Sequence, residues 1–317
     1  MLDSGRVVPV PDGRQLPVIS RVAMAPVLVS LLVAACSVAP TAVPASTTPS
    51  PAAATRSPAA ATSPPTAASP ADTAIARSFD VGGHSLRMEC VGTGSPTIVF
   101  LHGIGGDRTH GYALQKAFSD RVRVCTYDRA NMGLSDRVEG VLTGADAAND
   151  LAALLAAADI APPYVLVAGS FGGLVALIYA GAHPRDVAGM VFLDASLPSD
   201  ADVDRLLVDR GLIDPIKPTE LYANGGETFP YSIHEEARAA LEKVPDVPIS
   251  YLRATLFEAP PGAPLEEMKA IGQKGIDILL SHSSNGKQVD VDGPHFPMPQ
   301  QPVDDEVRRV LDLIKPS

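Results

Sequence analysis

The chain has little positive charge, and what it has is scattered. Its 25 lysines and arginines are outnumbered by 36 aspartates and glutamates, which gives a formal net charge of −11 over 317 residues. Binding to nucleic-acid phosphates needs a basic surface, and the sequence has no cluster of lysine or arginine. We therefore expect no nucleic-acid partner.

Cysteine and histidine are also sparse. The chain has three cysteines and seven histidines. They are nowhere grouped at the spacing that a metal site requires. We therefore predict no metal site.

Long apolar runs are missing, and a short one lies near the start of the chain. Residues 22–35 carry no charge and are too short to cross a bilayer comfortably, and they follow Arg6, Arg14 and Arg21. This pattern is typical of an export signal, which we assign to residues 1–35. The long leader before the run leaves two candidate start codons, Met1 and Met24.

The export signal ends in Val-Ala-Ala-Cys at residues 33–36. These residues resemble the lipobox of bacterial lipoproteins. The resemblance implies cleavage before Cys36, acylation of its thiol and new amino group, and a location at the extracytoplasmic face of the membrane in the cell envelope. The alternative is a secretory signal with an incidental cysteine, which would leave the protein secreted.

Residues 36–75 are dominated by alanine, proline, serine and threonine and have almost no charge. Such a segment has too few large apolar side chains to form a core, so we predict a disordered, extended tether. The folded domain then covers residues 76–317, a size that suits one domain.

Two cysteines, Cys90 and Cys125, lie in the folded domain, each in a strand-like run. Export would place them in oxidising surroundings, and neighbouring strands would bring them within bonding reach. We predict a disulfide between Cys90 and Cys125. The alternative is two separately buried thiols.

Strand-like and helix-like segments alternate through the folded domain. The predicted strands include residues 96–101, 122–127, 164–167, 187–193 and 247–252, and the predicted helices include 111–118, 145–158, 174–182 and 304–314. Alternation of this kind is typical of parallel strands joined by right-handed crossovers, so we predict an α/β fold with a mostly parallel central sheet and flanking helices. Residues 197–246 are too many for a structureless loop, and we predict a small helical lid there, with helices at 202–210 and 234–243.

One predicted strand ends in a serine between small residues. The sequence Ala168-Gly-Ser-Phe-Gly172 places Ser170 at a tight turn from a strand into a helix. Such a turn strains the backbone and needs small residues two positions away on both sides, which are Ala168 and Gly172 here. The pattern predicts that Ser170 is a nucleophile. The alternative is a serine in an ordinary strand-to-helix turn.

Four motifs in order resemble the α/β-hydrolase fold family over roughly residues 78–317. They are His102-Gly103, the run Tyr127-Asp-Arg-Ala-Asn-Met-Gly-Leu-Ser-Asp136, the turn around Ser170, and His295 before the last helix. The resemblance implies this fold, an oxyanion hole formed by the backbone N–H groups of Ile104 and Phe171, and a loop positioned by His102. We interpret Asp128 as part of a buried structural ion pair and turn.

A serine hydroxyl is a poor nucleophile at neutral pH and needs a base, usually an imidazole, within hydrogen-bond reach. His295 lies where the chain order of serine, acid and histidine places that base. We predict that His295 is the base. We interpret the others as structural residues (His84 and His183) or surface residues (His110, His234 and His282).

The acid that orients His295 has two candidates. Asp194 follows the strand after the Ser170 helix, and some α/β hydrolases take their acid from this position. Many others take it after the next strand, where Glu258 is the nearby carboxylate. We predict Asp194 and keep Glu258 as the alternative.

These residues predict an exported serine hydrolase that cleaves a carboxylic ester, or an amide, through an acyl-enzyme on Ser170. The expected partners are a small-molecule ester or amide and a membrane, reached through a lipid anchor on Cys36. We expect a monomer with no cofactor. The alternatives are an aminopeptidase, a lyase or a cofactor-free haloperoxidase on the same fold, or a non-catalytic binding protein that keeps the fold.

Overall fold

A computed structural model describes residues 74–257, 259 and 261–314. The predicted export signal, Cys36 and nearly all of the tether lie outside these residues, as does Glu258.

Within the described residues the chain forms ten strands, seven α-helices and a short 3₁₀ helix (Arg108–Gly111). The strands are β1 (Ile75–Asp80), β2 (Ser85–Val91), β3 (Thr97–Leu101), β4 (Val124–Tyr127), β5 (Tyr164–Gly169), β6 (Val187–Leu193), β7 (Leu221–Asn224), β8 (Glu227–Pro230), β9 (Ile249–Leu256) and β10 (Lys287–Pro294). The helices are α1 (Tyr112–Phe118), α2 (Gly144–Ala157), α3 (Gly172–Ala182), α4 (Asp200–Asp209), α5 (Ile233–Leu241), α6 (Leu265–Ser281) and α7 (Gln300–Ile314). In this part of the chain, no helix is long and apolar enough to cross a membrane.

An eight-stranded sheet forms the centre of the domain, in the order β1-β2-β4-β3-β5-β6-β9-β10. The β1–β2 and β2–β4 pairs are antiparallel, and every later pair is parallel. The predicted α/β architecture with a mostly parallel sheet is therefore confirmed.

Helices cover both faces of this sheet, which is why its inner strands are apolar without alternation. All five residues of β3 are buried, and β5 is buried except at its last residue. One face packs against α2, α3, α5 and α6, and the other packs against α1 and α7. Helix α3 has an apolar side chain on almost every face because it is enclosed by the sheet and by its helical neighbours.

The insertion between β6 and β9, residues 194–248, differs in part from the predicted lid. It contains the two helices α4 and α5, but its middle forms the antiparallel hairpin of β7 and β8 rather than a helix or loop. The two residues of the hairpin turn, Gly225 and Gly226, both have positive φ. That conformation matches the twist of paired strands and favours glycine, so the Asn-Gly-Gly sequence is a hairpin signal that our prediction of the lid overlooked.

The two cysteines of the domain face each other across β2 and β4. Cys90 and Cys125 are register partners with Cα atoms 4.1 Å apart, and the structure joins their sulfur atoms in a disulfide.

Candidate active site

Ser170 lies in the turn between β5 and α3, with a φ of +50°. This is the left-handed region, in which a side chain is strained. Its N–H donates to the Leu193 carbonyl at 3.3 Å, and its own carbonyl accepts from the N–H groups of Gly173 and Ser196, both at 2.9 Å. These three hydrogen bonds hold the serine in a conformation that it would not otherwise adopt.

The small residues around Ser170 are explained by close approach of the backbone. A Cβ on Gly172 would overlap the carbonyl oxygens of Leu101 and His102. Ala168 is a buried residue of β5 between β3 and β6, and its methyl group is accommodated there. The departure from glycine at 168 therefore leaves the turn intact.

The loop after β3 touches Ser170 directly. A Cβ on Gly103 would lie 3.1 Å from the Cβ of Ser170, so the loop backbone packs against the serine. In the described part of the chain, the N–H groups of Ile104 and Phe171 have no hydrogen-bond acceptor. Phe171 also immediately precedes α3, where the helix dipole favours negative charge. Both N–H groups are thus available for the predicted oxyanion hole, which remains a prediction.

His102 is fully buried in this loop and is neutral. Burial, and then the charge of Arg129, hold the pKa of His102 well below its usual value. Its Nδ1 lies 2.8 Å from the Gly103 carbonyl, which can only accept, and its Nε2 lies 3.3 Å from the Arg129 N–H, which can only donate. The proton is therefore on Nδ1, and His102 fixes the loop as a hydrogen-bonding group rather than as a base.

Asp194 and His295 are brought together from residues 101 positions apart. The Nδ1 of His295 lies 2.7 Å from Oδ2 of Asp194. Asp194 has a φ of +43°, its N–H donates to the Leu252 carbonyl at 2.7 Å, and its Oδ1 accepts from the Ala254 N–H at 3.1 Å. Strand β9 therefore aims the carboxylate at the imidazole that follows β10.

This pairing sets the tautomer of His295. A carboxylate can only accept, so Nδ1 carries the proton and Nε2 is free to take one. Among the described residues, Ser170 Oγ makes no hydrogen bond, to His295 or to any other group. The hydrogen bond between a catalytic serine and its base is commonly long without substrate and tightens when substrate binds. The alternative acid, Glu258, lies outside the described residues.

A buried ion pair beside the loop was not anticipated from the sequence. Arg129 donates from Nε to Glu227 Oε1 at 2.6 Å and from Nη2 to Glu227 Oε2 at 2.9 Å. It also donates from Nη1 to the His102 carbonyl at 2.6 Å and from Nη2 to the Gly103 carbonyl at 2.9 Å. Arg129 belongs to the motif that begins at Tyr127, but 98 residues separate it from Glu227, and no local pattern links the two.

Asp128 has the structural role that was predicted for it. Its buried carboxylate accepts from Arg108 Nη1 at 2.8 Å and from the N–H groups of Arg108 and Leu134 at 2.7 and 2.8 Å. These contacts fix the turn after β4.

The prediction that His234 is a surface residue is wrong. It is 3% exposed and packs against the rings of Tyr222 and Tyr231. Burial lowers its pKa to about 4. The reason is that α5 packs against α3 and turns this residue inward, which the sequence around it does not signal.

Within residues 74–257, 259 and 261–314, no group of three or more histidine, cysteine, aspartate or glutamate side chains is arranged to hold a metal ion.

Comparison with known proteins finds similarity to the alpha/beta hydrolase fold. A family model described as the alpha/beta hydrolase fold matches residues 96–228. The uncharacterized protein YqjL of Bacillus subtilis is 35% identical over 106 residues, which are 33% of this chain and 42% of YqjL. The 2-(acetamidomethylene)succinate hydrolase of Mesorhizobium japonicum is 29% identical over 160 residues, which are 49% of this chain and 56% of that enzyme. The chain thus spans about half the length of these curated relatives.

Solved structures share the fold. Est1E of Butyrivibrio proteoclasticus, solved with ferulic acid, aligns with a TM-score of 0.56 at 18% identity, and the alignment covers 75% of this chain and 99% of Est1E. At that identity the likeness establishes the architecture alone.

Proposed function

Because this chain has the α/β-hydrolase fold, we propose that it is an exported serine hydrolase that cleaves a carboxylic ester through an acyl-enzyme on Ser170. The observation that carries the proposal is the 2.7 Å contact between His295 and Asp194, at the same sheet end as the strained Ser170. A base with its free nitrogen available and a nucleophile held at a tight turn are the parts that acyl transfer needs.

In the first half of the proposed reaction, Ser170 Oγ attacks the ester carbonyl carbon while His295 Nε2 takes the hydroxyl proton. The carbonyl oxygen becomes an oxyanion, which receives hydrogen bonds from the N–H groups of Ile104 and Phe171. When the intermediate collapses, the bond to the alkoxy group breaks, and His295 returns its proton to the leaving alcohol. Asp194 keeps the imidazole oriented and stabilises its positive charge.

In the second half, a water molecule takes the place of the alcohol. His295 removes its proton, the hydroxide attacks the acyl carbon, and the bond to Ser170 Oγ breaks with return of the proton. The products are a carboxylic acid and the free enzyme, so no cofactor is consumed.

An amide is the second candidate substrate. It is favoured by the relative from Mesorhizobium japonicum, whose named substrate carries an acetamido group. The same residues would act on it, with an amine as the leaving group.

The location follows from the leader sequence. We propose that the mature protein is anchored through lipid on Cys36 to the extracytoplasmic face of the membrane, with secretion as the alternative. In that oxidising setting Cys90 and Cys125 form a disulfide, and the domain acts as a monomer on a small-molecule ester or amide.

Labelling with a fluorophosphonate probe tests the nucleophile. The wild type should be labelled, because the probe reacts with an activated serine, and Ser170→Ala should not be labelled. Ser119→Ala is the matched control, since it removes a hydroxyl at the end of α1 and should leave labelling unchanged. An unlabelled wild type, or labelling that survives Ser170→Ala, would contradict the proposal.

Substrate class is tested on two panels, p-nitrophenyl esters of increasing acyl length and aminoacyl anilides. We expect kcat/KM to be higher on the esters. Turnover of the anilides alone would replace the ester with an amide.

A further inference from the structure

The β7–β8 hairpin lies directly on the loop that carries Ile104. The Gly105 N–H donates to Glu227 Oε2 at 2.9 Å, and Asn224 Nδ2 lies 3.5 Å from the Ile104 carbonyl. A Cβ added to Gly105 would lie 2.7 Å from the side chain of Asn224, and one added to Gly225 would lie 2.9 Å from Gly105 Cα. No space remains for a further side chain between the hairpin and the loop. The insertion is therefore in close contact with the predicted catalytic machinery.

The contact is made through two fully desolvated charges. The side chains of Arg129 and Glu227 are 3% and 1% exposed. Burying such a pair commonly adds little net stability, because the desolvation cost offsets the attraction, whereas removing one partner is costly. A pair of this kind is therefore better explained by the geometry that it enforces.

That geometry concerns the peptide bond between Gly103 and Ile104. The Gly103 carbonyl oxygen accepts from Arg129 Nη2 at 2.9 Å, from His102 Nδ1 at 2.8 Å and from the Gly106 N–H at 3.2 Å. A trans peptide is planar, with its C=O and N–H pointing in opposite directions. Fixing the oxygen of this peptide therefore also fixes the direction of the Ile104 N–H.

We propose that Arg129 and Glu227 are positioning residues for the oxyanion hole. Arg129 holds the Gly103 carbonyl, and Glu227 holds both Arg129 and the Gly105 N–H, so that the Ile104 N–H is aimed at the developing oxyanion. This inference rests on the proposed function, in which Ile104 supplies one donor. It makes the hairpin part of the catalytic apparatus rather than a removable cover.

The size of the effect follows from known oxyanion holes. Loss of one donor costs on the order of 10²–10³ in kcat, and a misplacement of about 1 Å costs up to about 10²-fold. Glu227→Gln keeps the shape of the side chain but leaves the Arg129 charge unpaired. We expect kcat to fall about 10- to 100-fold with KM changed less than about 3-fold, since substrate binding does not depend on this donor.

Glu306→Gln is the matched control. Glu306 is 4% exposed and accepts from Lys287, Arg309 and Ser250, far along the chain from the loop. Both variants remove the charge of a buried carboxylate that is paired with cations. Only Glu227→Gln should lower kcat, while both should lower the unfolding midpoint in urea.

A trifluoromethyl ketone inhibitor separates positioning from general damage, because its serine adduct carries an oxyanion. Glu227→Gln should weaken this inhibitor by about the same factor as kcat and leave binding of the product alcohol, which carries no oxyanion, unchanged. Arg129→Lys is the second variant, which keeps the buried charge but cannot span both the carbonyls and Glu227. Arg129→Lys should show the same selective loss of kcat and of affinity for the ketone. It replaces Glu227→Gln in the test if that variant does not fold.

The outcomes are distinct. Folded Glu227→Gln or Arg129→Lys enzyme with wild-type kcat and ketone affinity would overturn the proposal, as would equal kcat losses in Glu227→Gln and Glu306→Gln. A wild type that no fluorophosphonate labels would instead overturn the proposed function itself.

Discussion

Strained backbone is concentrated at the residues proposed to act. Outside glycine, four described residues have positive φ, namely Asn131, Asp159, Ser170 and Asp194. Two of these are the proposed nucleophile and the proposed acid, each at the end of a parallel strand. Strain of this kind costs on the order of 1–3 kcal/mol per residue and persists only where surrounding hydrogen bonds enforce it. At both positions the neighbouring strand supplies those bonds.

Asp194→Asn tests the orienting role of this carboxylate. An asparagine amide can donate to Nδ1 of His295, which would move the imidazole proton to Nε2 and leave no acceptor for the Ser170 proton. We expect kcat to fall by about 10⁴ with the fold intact. The measurement is steady-state kinetics on the best ester of the panel.

Glu258→Gln is the paired variant, because Glu258 is the other carboxylate that the sequence offered for this role. It should retain kcat within a few-fold of the wild type. A large loss in Glu258→Gln together with a small loss in Asp194→Asn would move the acid to position 258.

At the residue scale, the positions that follow from motif order were the ones that could be predicted from the sequence. Ser170, Asp194 and His295 each follow a strand, and parallel strands bring their carboxyl ends to one edge, so their place at one end of the sheet could be anticipated. Their catalytic roles stay predictions. Arg129 and Glu227 could not be paired in advance, because Glu227 lies in a strand of the insertion that was not predicted. The prediction for His234 was wrong for a similar reason, since its burial depends on how α5 packs.

Among the elements, the insertion contains the largest departures from expectation. Its helices α4 and α5 were predicted from their helical sequence pattern. That pattern can be recognised without knowing which surface the helix packs against. The β7–β8 strands are only four residues each, too short for periodicity to reveal. Their turn sequence was the usable signal.

The folded domain should lose stability in acid because His234, in helix α5, is buried in its neutral form. In the folded protein the pKa of this residue is about 4, against an ordinary 6.5, so the fold favours its neutral form. The contribution of neutral His234 to the free energy of unfolding is complete above about pH 6.5. It is lost as the pH falls toward 4, because in that window only the unfolded chain binds a proton at this residue. Between pH 8 and pH 5 this group should account for about 2 kcal/mol of lost unfolding free energy.

His234→Phe removes the titration and keeps a ring between Tyr222 and Tyr231. Urea unfolding of both proteins at pH 8 and pH 5 gives the comparison. The wild type should lose about 2 kcal/mol more than the variant across that interval. Equal losses in the two proteins would show that His234 is not the group responsible.

For the whole molecule, the proposed export predicts two covalent features in one preparation. Intact mass spectrometry of the mature protein should give an N-terminal Cys36 bearing acyl groups. Alkylation without a reductant should leave Cys90 and Cys125 unmodified, because a disulfide protects both.

Cys36→Ser provides the control. It should abolish the acyl mass and move the protein from the membrane fraction to the soluble fraction, while the kcat of the domain is retained. A mature protein that starts at another residue without lipid would remove the anchor, and alkylation of both domain cysteines would remove the disulfide.

The position of β1 at the edge of the sheet has a practical consequence. Since β1 is antiparallel to β2, and β2 is antiparallel to β4, β1 runs the same way as the inner strands. Through the register of β1, β2, β4, β3 and β5, Ile75 lies level with Leu166 in the middle of β5, and four strand spacings, about 19 Å, separate β1 from β5. Strand β1 is also the edge of the sheet farthest from β10. A bead, fluorophore or affinity tag joined ahead of this strand is attached at the edge of the sheet remote from the proposed chemistry, so immobilisation through the N-terminal side should leave the active site open to solution.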